Sequence, residues 1–405
     1  MTITQPDLGD IRSVCEGTLA RNWHEGVRSE DGVRFAYTRP SPGHYPFQWY
    51  WDSCFSAIVW RRFDAARARA ELESLLAAER DDGFIGHTIF WDTRLNERQR
   101  LTYNVLSPDA PMTATIQPPV LAWAWSIAVG DPVGVEAISR HYDWLSEHRD
   151  LDGDGLIWII QPDESGLDAS PQFDAIWKGH ADGLPGFVRL VRDNRRHGYD
   201  LRRIADAGGP VCCEVMTNVL YALSLSALGR PSLTGRIIER FYDERAGLFR
   251  PLVRAEPAEE PTVTWAALSP LALPDLPEAI GRRLVEEHLL DTERFWLPVP
   301  PPSVPATEPS FSRRESRFGI KRYWRGPTWV NAAWLLWLGL VRLGYAEQAE
   351  ALRSRLGGAV ATAGLREYYD PYTGAGMGAT DFAWSSLILE IIDPDPSAAV
   401  SYLSD

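Results

Sequence analysis

An all-α fold, a chain of antiparallel helical hairpins in one domain, is what this 405-residue sequence predicts. Three observations carry that expectation. Apolar residues recur at helical spacing through most of the chain. Helix breakers punctuate the pattern at Gly130-Asp131-Pro132 and Gly229-Arg230-Pro231, leaving short loops between consecutive helices. Strand signals are few and short, at Val33 to Thr38 and Leu156 to Ile160.

In chain order, Ile11 to Trp23 opens the helical series, and Ser53 to Glu79 follows directly on Asp52, a residue type that caps helix N-termini. The Gly130 breaker divides Ala114 to Val129 from Val133 to His148, and the Gly229 breaker divides Cys212 to Leu228 from Ser232 to Tyr242. Pro277 to Leu290 comes next. Pro327 suits the first turn of a helix running to Leu343, whose apolar residues mark it as buried. Ala346 to Leu356 and Asp381 to Ile392 end the series. Two Pro-rich stretches, Glu256 to Pro261 and Pro298 to Pro309, resemble linkers. The second runs directly into an aromatic motif, so residues 298–316 are read as an active-site loop within a single domain spanning 1–405. That loop is expected to close over a cleft.

Composition narrows the class. Hydrophobic residues make 45% and charged residues 24%, an ordinary globular balance, and a chain this long buries roughly three quarters of its unfolded surface. The net charge of −14, with no Lys/Arg block, excludes a nucleic-acid footprint. Cys15, Cys54, Cys212 and Cys213 form no C-x-x-C pair and read as buried reduced thiols. Met1 to Asp10 has no apolar signal core, and the longest apolar run, Trp329 to Val341, falls short of the roughly 20 residues a membrane span needs. A cytoplasmic protein is expected, with no membrane partner and no signal of oligomeric state.

The 17 tryptophans are the departure from ordinary composition. Their flat faces suit the C–H surfaces of sugar rings and their polar edges suit hydroxyls. Five clusters of aromatic and acidic residues stand out along the chain. The first is Gln48-Trp49-Tyr50-Trp51-Asp52. The second is His87 through Trp91-Asp92, with Thr115-Ile116-Gln117-Pro118-Pro119. The third is Glu164-Ser165-Gly166-Leu167-Asp168-Ala169-Ser170-Pro171. The fourth is Arg322-Tyr323-Trp324-Arg325-Gly326-Pro327-Thr328-Trp329. The last is Glu367-Tyr368-Tyr369-Asp370-Pro371, leading to Trp384. Capping explains Asp52 alone, and a core hydrogen bond explains Gln117 alone; five such clusters at helix mouths point to a sugar cleft. Asp150-Leu151-Asp152-Gly153-Asp154 is faintly EF-hand-like, but no Glu follows in the phase that calcium requires, and no metal site is expected. Two carboxyls flanking an acetal suffice for glycoside cleavage, one protonated to donate to the leaving oxygen and one ionised to activate water. Asp168 and Glu367 fit those roles.

Tyr50-Trp51-Asp52, Gln117-Pro118-Pro119, the Glu164 to Pro171 segment, Tyr323-Trp324-Arg325-Gly326-Pro327 and Glu367-Tyr368-Tyr369-Asp370-Pro371 together resemble glycoside hydrolase family 63, in particular its compact bacterial mannosylglycerate and glucosylglycerate hydrolases. The likeness runs from about residue 48 to 390 and extends more distantly to trehalases and α-glucosidase I. It implies an (α/α)6 barrel that inverts a small α-glucoside or α-mannoside without a cofactor. Asp168 would be the general acid and Glu367 the general base, their carboxyls about 6.5–9.5 Å apart. Trp51, Asp52, Gln117, Tyr323, Trp324 and Arg325 would shape the glycone subsite. Tyr50, His87, Trp91, Glu164, Gly166, Gly326, Tyr368 and Trp384 are further candidate substrate contacts. The chain departs from the family after the acid: Pro171 to Tyr199 is shorter, Gly186 falls near the family's glycerate-gripping Arg, and Ala169 replaces the usual Asn. Arg322, Arg325 and the run Arg192 to Arg203 are the cations that remain to meet an anionic aglycone, although a solvated helix face accounts for the run. A sugar isomerase or epimerase would need paired histidines, and only His87 lies in a cluster. A non-catalytic sugar-binding descendant would be expected to lose a carboxylate, and a phosphorolytic enzyme would lack the base; both acids are present.

Overall fold

The computed structural model describes residues 8–107, 110–177, 184–255, 260–317, 320–321 and 323–393. Arg322 and most of the Glu256 to Pro261 stretch lie outside the described residues.

Six elements form the centre, each packed on the next: Tyr50–Trp60, Leu121–Ala128, Val215–Ala227, Trp265–Ala272, Val330–Arg342 and Ala383–Leu387, with the last packing back on Tyr50–Trp60. Sequence explains their central place. Tyr50–Trp60 and Trp265–Ala272 are buried along their whole length, and Val330–Arg342 is buried from Val330 to Leu340. A helix apolar all round must be enclosed by others. Leu8–Asn22, Ala65–Ala77, Val135–Arg149, Thr234–Phe241, Glu278–Leu284 and Ala346–Ala363 lie against them, each burying one face and leaving residues exposed on the other. One hydrophobic core links the two sets.

Several expected boundaries move, each for a local reason. Ser53 to Glu79 is two helices, because the Asp64 carboxylate caps a new one by accepting from Ala66 N at 3.0 Å and Arg67 N at 3.1 Å. Pro118-Pro119 holds the expected Ala114 helix back until Leu121. Val211–Cys213 is a strand, paired with Leu252–Arg254, and the Val215 helix starts only where Glu214 caps it. Pro327 does not begin a helix. Thr328 bridges Tyr369 instead, and the helix starts at Val330. Leu156 to Ile160 forms no strand, contributing a single bridge between Ile159 and Cys212. The expected Val33 strand is real as Arg34–Thr38, but its partner Trp23–Val27 begins at the end of the first expected helix. Ala346–Ala363 runs past Leu356, and Asp381 to Ile392 resolves into the 3-10 turn Ala383–Leu387 followed by Ile388–Ile392. Leu184–Arg196 and Leu201–Asp206 carry the basic run read as a solvated helix face, while the 3-10 helix Trp265–Ala272 carried no recognised signal. Arg192, Arg196, Arg202 and Arg203 are exposed on the first two, as a solvated face requires.

Asp150 accepts from the backbone of Gly153, Asp154 and Gly155, while Asp152 and Asp154 pair with Arg240. The acidic turn is thus charge-matched by arginine, and among the described residues no cluster of metal-ligating side chains forms. No described helix is long and apolar enough to cross a membrane.

Candidate active site

The site lies where the chain enters the central elements. A cavity of about 110 Å³ is lined by Pro40, Tyr45, Trp49, Trp51, Asp52, His87, Gln117, Gly166, Asp168, Tyr323, Phe382 and Trp384. This volume is below the roughly 300–1,000 Å³ of drug-sized sites and suits a small ligand. Trp51 and Asp52 occupy the first turn of Tyr50–Trp60, and Trp384 stands edge-on to Trp51 at 5.0 Å. The two indoles make an apolar corner beside the Asp52 carboxyl. Burial pushes the Asp52 carboxyl well above the usual carboxylate range, and the Glu367 charge adds to the shift.

Gln117 fixes the approach to that corner. Its Oε1 accepts from Trp51 N at 2.9 Å, and its Nε2 lies 2.9 Å from His87 Nε2. With Nε2 accepting from the amide, His87 carries its proton on Nδ1. Burial holds the imidazole neutral, with its pKa lowered to about 3. Among the described residues no second histidine lines the cavity.

Asp168 stands in a segment built of tight turns. Pro162–Ser165 and Pro171–Phe173 are 3-10 helices, and Gly166 and Ala169 take φ of +69° and +58°. Gly166 is required twice over. A Cβ there would lie 2.6 Å from Cη2 and 2.9 Å from Cε2 of Trp51, with Cζ2 nearer still, in a conformation that disfavours side chains. Every neighbour of Asp168 from Gln161 to Phe173 is buried, while Asp168 itself is exposed and faces the cavity.

Glu367 lies one layer behind the wall, only 3% exposed. The Tyr45 hydroxyl donates to its Oε1 at 2.9 Å, the Tyr323 hydroxyl donates to the same oxygen, and Ala379 N donates to Oε2 at 2.9 Å. Tyr45 and Tyr323 approach each other at 3.4 Å and both line the cavity. Burial raises both phenols well above their ordinary range, and the charges of Glu367 and Asp168 each raise them further. The two phenols that hold Glu367 thus share the cavity wall with Asp168. Gly378, at φ +66°, lets its strand press on Glu367: a Cβ there would sit 2.5 Å from Glu367 Oε2 and 2.6 Å from Tyr368 Cε1.

Of the expected contacts, Trp51, Asp52, His87, Gln117, Gly166, Asp168, Tyr323 and Trp384 line the cavity, and Glu367 reaches it through two hydroxyls. Seven others are not cavity residues. Tyr50 packs on His141 in the core. Trp91 donates to Gln48 Oε1 at 2.6 Å and stacks on Phe35. Glu164 is fully buried and accepts from Arg149 at 2.7 and 2.8 Å and from Ile116 N and Ile160 N, which uses both oxygens structurally. Trp324 stacks on Trp329 at 3.8 Å. Arg325 forks onto Asp174, Gly326 N donates to Ser303 Oγ at 2.8 Å, and Tyr368 packs between Tyr323 and Trp329.

Pro40, Tyr45 and Phe382 also line the cavity and were not singled out from the sequence. Tyr45 belongs to the aromatic run His44-Tyr45-Pro46-Phe47-Gln48-Trp49, whose density was its signal. The 298–316 loop is partly fixed in place. Residues Val299 to Pro305 are buried, Val299 N donates to Pro371 O, and Ser312 N donates to Arg325 O.

A small cavity walled by tryptophan and faced by carboxyls suits a glycoside hydrolase, and the comparisons with known proteins place the chain in that class. The profile of the mannosylglycerate hydrolase MGH1-like glycoside hydrolase domain matches residues 45–385, and the chain belongs to that family. A mannosylglycerate hydrolase of Thermus thermophilus is 30% identical over 88% of this chain and 96% of its own. Glucosylglycerate hydrolase of Mycolicibacterium hassiacum is 26% identical over 86% and 92%. The crystal structure of a GH63 mannosylglycerate hydrolase, also from Thermus thermophilus, in complex with Tris and D-glycerate superposes with a TM-score of 0.75 at 25% identity, covering 94% of this chain and 99% of that one. The resemblance to glycoside hydrolase family 63 read from the motifs is thus borne out.

Proposed function

We propose that the chain hydrolyses a small α-glucoside or α-mannoside with inversion, Asp168 acting as general acid and Glu367 as general base. The observation that carries this is that Asp168 lines the same Trp-walled cavity as Tyr45 and Tyr323, whose hydroxyls donate to Glu367. The glycone ring would rest on Trp51 and Trp384, with Asp52 and Gln117 receiving its hydroxyls. Asp168, the exposed member of the pair, would protonate the leaving oxygen. Water would be activated at Glu367 Oε1, where the two phenols meet, and would attack from the face opposite the leaving group. The closed succession of six central elements supports an (α/α)6 barrel, formed by the chain as one domain. Four buried, unpaired cysteines support placement in the cytoplasm.

Proton NMR of a panel that includes glucosylglycerate, mannosylglycerate, trehalose and kojibiose tests the reading. A β-anomer released first from one member, with activity reduced at least about 10²-fold by both Asp168→Asn and Glu367→Gln, is expected. First release of the α-anomer would refute inversion, and full activity in either variant would refute that residue's role.

A further inference from the structure

Acid and base come from distant parts of the chain, yet an inverting site needs their separation held so that one water fits between base and anomeric carbon. The segment Tyr323 to Thr328 is fastened to the base strand at both ends. Tyr323 donates to Glu367, and Thr328 and Tyr369 exchange backbone hydrogen bonds of 2.9 Å in each direction. On the other side, Asp174 follows Asp168 through the tight turn Pro171–Phe173, whose conformation leaves little slack. Arg325 spans the two. Its Nη1 donates to Asp174 Oδ2 at 2.8 Å and its Nη2 to Oδ1 at 2.5 Å, a two-pronged geometry that fixes orientation as well as distance.

The Arg325 side chain is 2% exposed, whereas that of Asp174 is 40% exposed. Enclosing a guanidinium to meet a half-solvated carboxylate is a poor route to stability, since desolvation offsets much of the attraction. The guanidinium does not line the cavity either. We propose that the Arg325–Asp174 pair is a clasp that sets the general acid against the base, making Arg325 and Asp174 positioning residues for the hydrolysis. The inference rests on the assignment of Asp168 and Glu367 given above. Breaking the clasp is expected to shift Asp168 within its turns, while Glu367 keeps its contacts with Tyr45, Tyr323 and Ala379.

Leaving-group dependence tests this. Glucosylglycerate and mannosylglycerate serve as substrates whose leaving oxygen needs a proton; α-glucosyl and α-mannosyl fluoride serve as substrates that need little protonation. In Asp174→Asn, kcat on the glycoside is expected to fall about 10- to 100-fold with KM within about twofold, since ångström misplacement of a catalytic group carries losses of that order. On the fluoride of the same sugar the loss is expected to stay below about threefold. Asp174→Glu, which restores the charge, is expected to recover at least about a third of the lost rate. Arg325→Lys, which keeps charge but loses the fork, is expected to repeat the selective loss should the Asn variant be unstable in urea. Equal losses on both substrates, or no loss, would overturn the clasp. Asp168→Asn run alongside separates the two claims: if it stays active on the glycoside, the acid assignment fails, whereas if it is inactive there and spared on the fluoride, the assignment stands whatever Asp174 does.

Discussion

Gly166→Ala is the substitution whose cost is most directly worked from the structure. Two terms add. The residue sits at φ +69°, where an L side chain costs about 1–2 kcal/mol. The added methyl would also overlap the Trp51 indole at 2.6 and 2.9 Å, and Trp51 cannot retreat because Trp384 stands 5.0 Å and Phe55 5.5 Å from its ring. Overpacking of this kind costs about 1–3 kcal/mol. Together they predict a loss of about 2–5 kcal/mol in urea unfolding followed by tryptophan fluorescence. Gly153 separates the terms: it has φ +73° and nothing within 4 Å of a built Cβ, so Gly153→Ala should lose only about 1–2 kcal/mol. The same methyl should lower kcat/KM at least about tenfold, because Asp168 lies two residues on and Trp51 forms the cavity wall. Equal losses of stability at 166 and 153, or unchanged kcat/KM in Gly166→Ala, would refute the argument.

Two further outcomes follow from buried groups. Arg149→Met leaves the fully buried Glu164 carboxylate without its cation and should cost about 3–5 kcal/mol in the same unfolding assay; a loss under about 1 kcal/mol would show that Ile116 N and Ile160 N suffice. His87, with its pKa lowered to about 3 from 6.5, binds its proton more readily when unfolded, so its contribution to stability is complete above about pH 6.5 and is lost as pH falls toward 3. In that window the wild type should show a slope steeper than His87→Gln by up to about 1.4 kcal/mol per pH unit, and parallel pH–stability curves would contradict the neutral-imidazole assignment.

The sequence by itself determined the helix-rich class of the fold and picked out most of the residues that line the cavity. Helical spacing found the central elements Val330–Arg342 and Val215–Ala227 to within a few residues, because an unbroken apolar surface is written in composition. Asp168, Trp51, Asp52, Gln117 and Tyr323, picked out by their motifs, line one cavity. Local capping was less legible. Asp64 could have been one more surface acid, and only its carboxylate on Ala66 N and Arg67 N reveals the break between two helices. Tertiary structure alone decided which member of each motif faces the cavity. Glu164 and Asp168 are four residues apart in one loop, yet one is saturated by Arg149 while the other is exposed in the cavity. Likewise Tyr45 joins Tyr323 on Glu367 although residues 45, 323 and 367 belong to separate segments. Side-chain direction in an irregular turn depends on backbone angles such as φ +69° at Gly166 and +58° at Ala169, and those angles are set by what packs against them, which no local pattern of residues records.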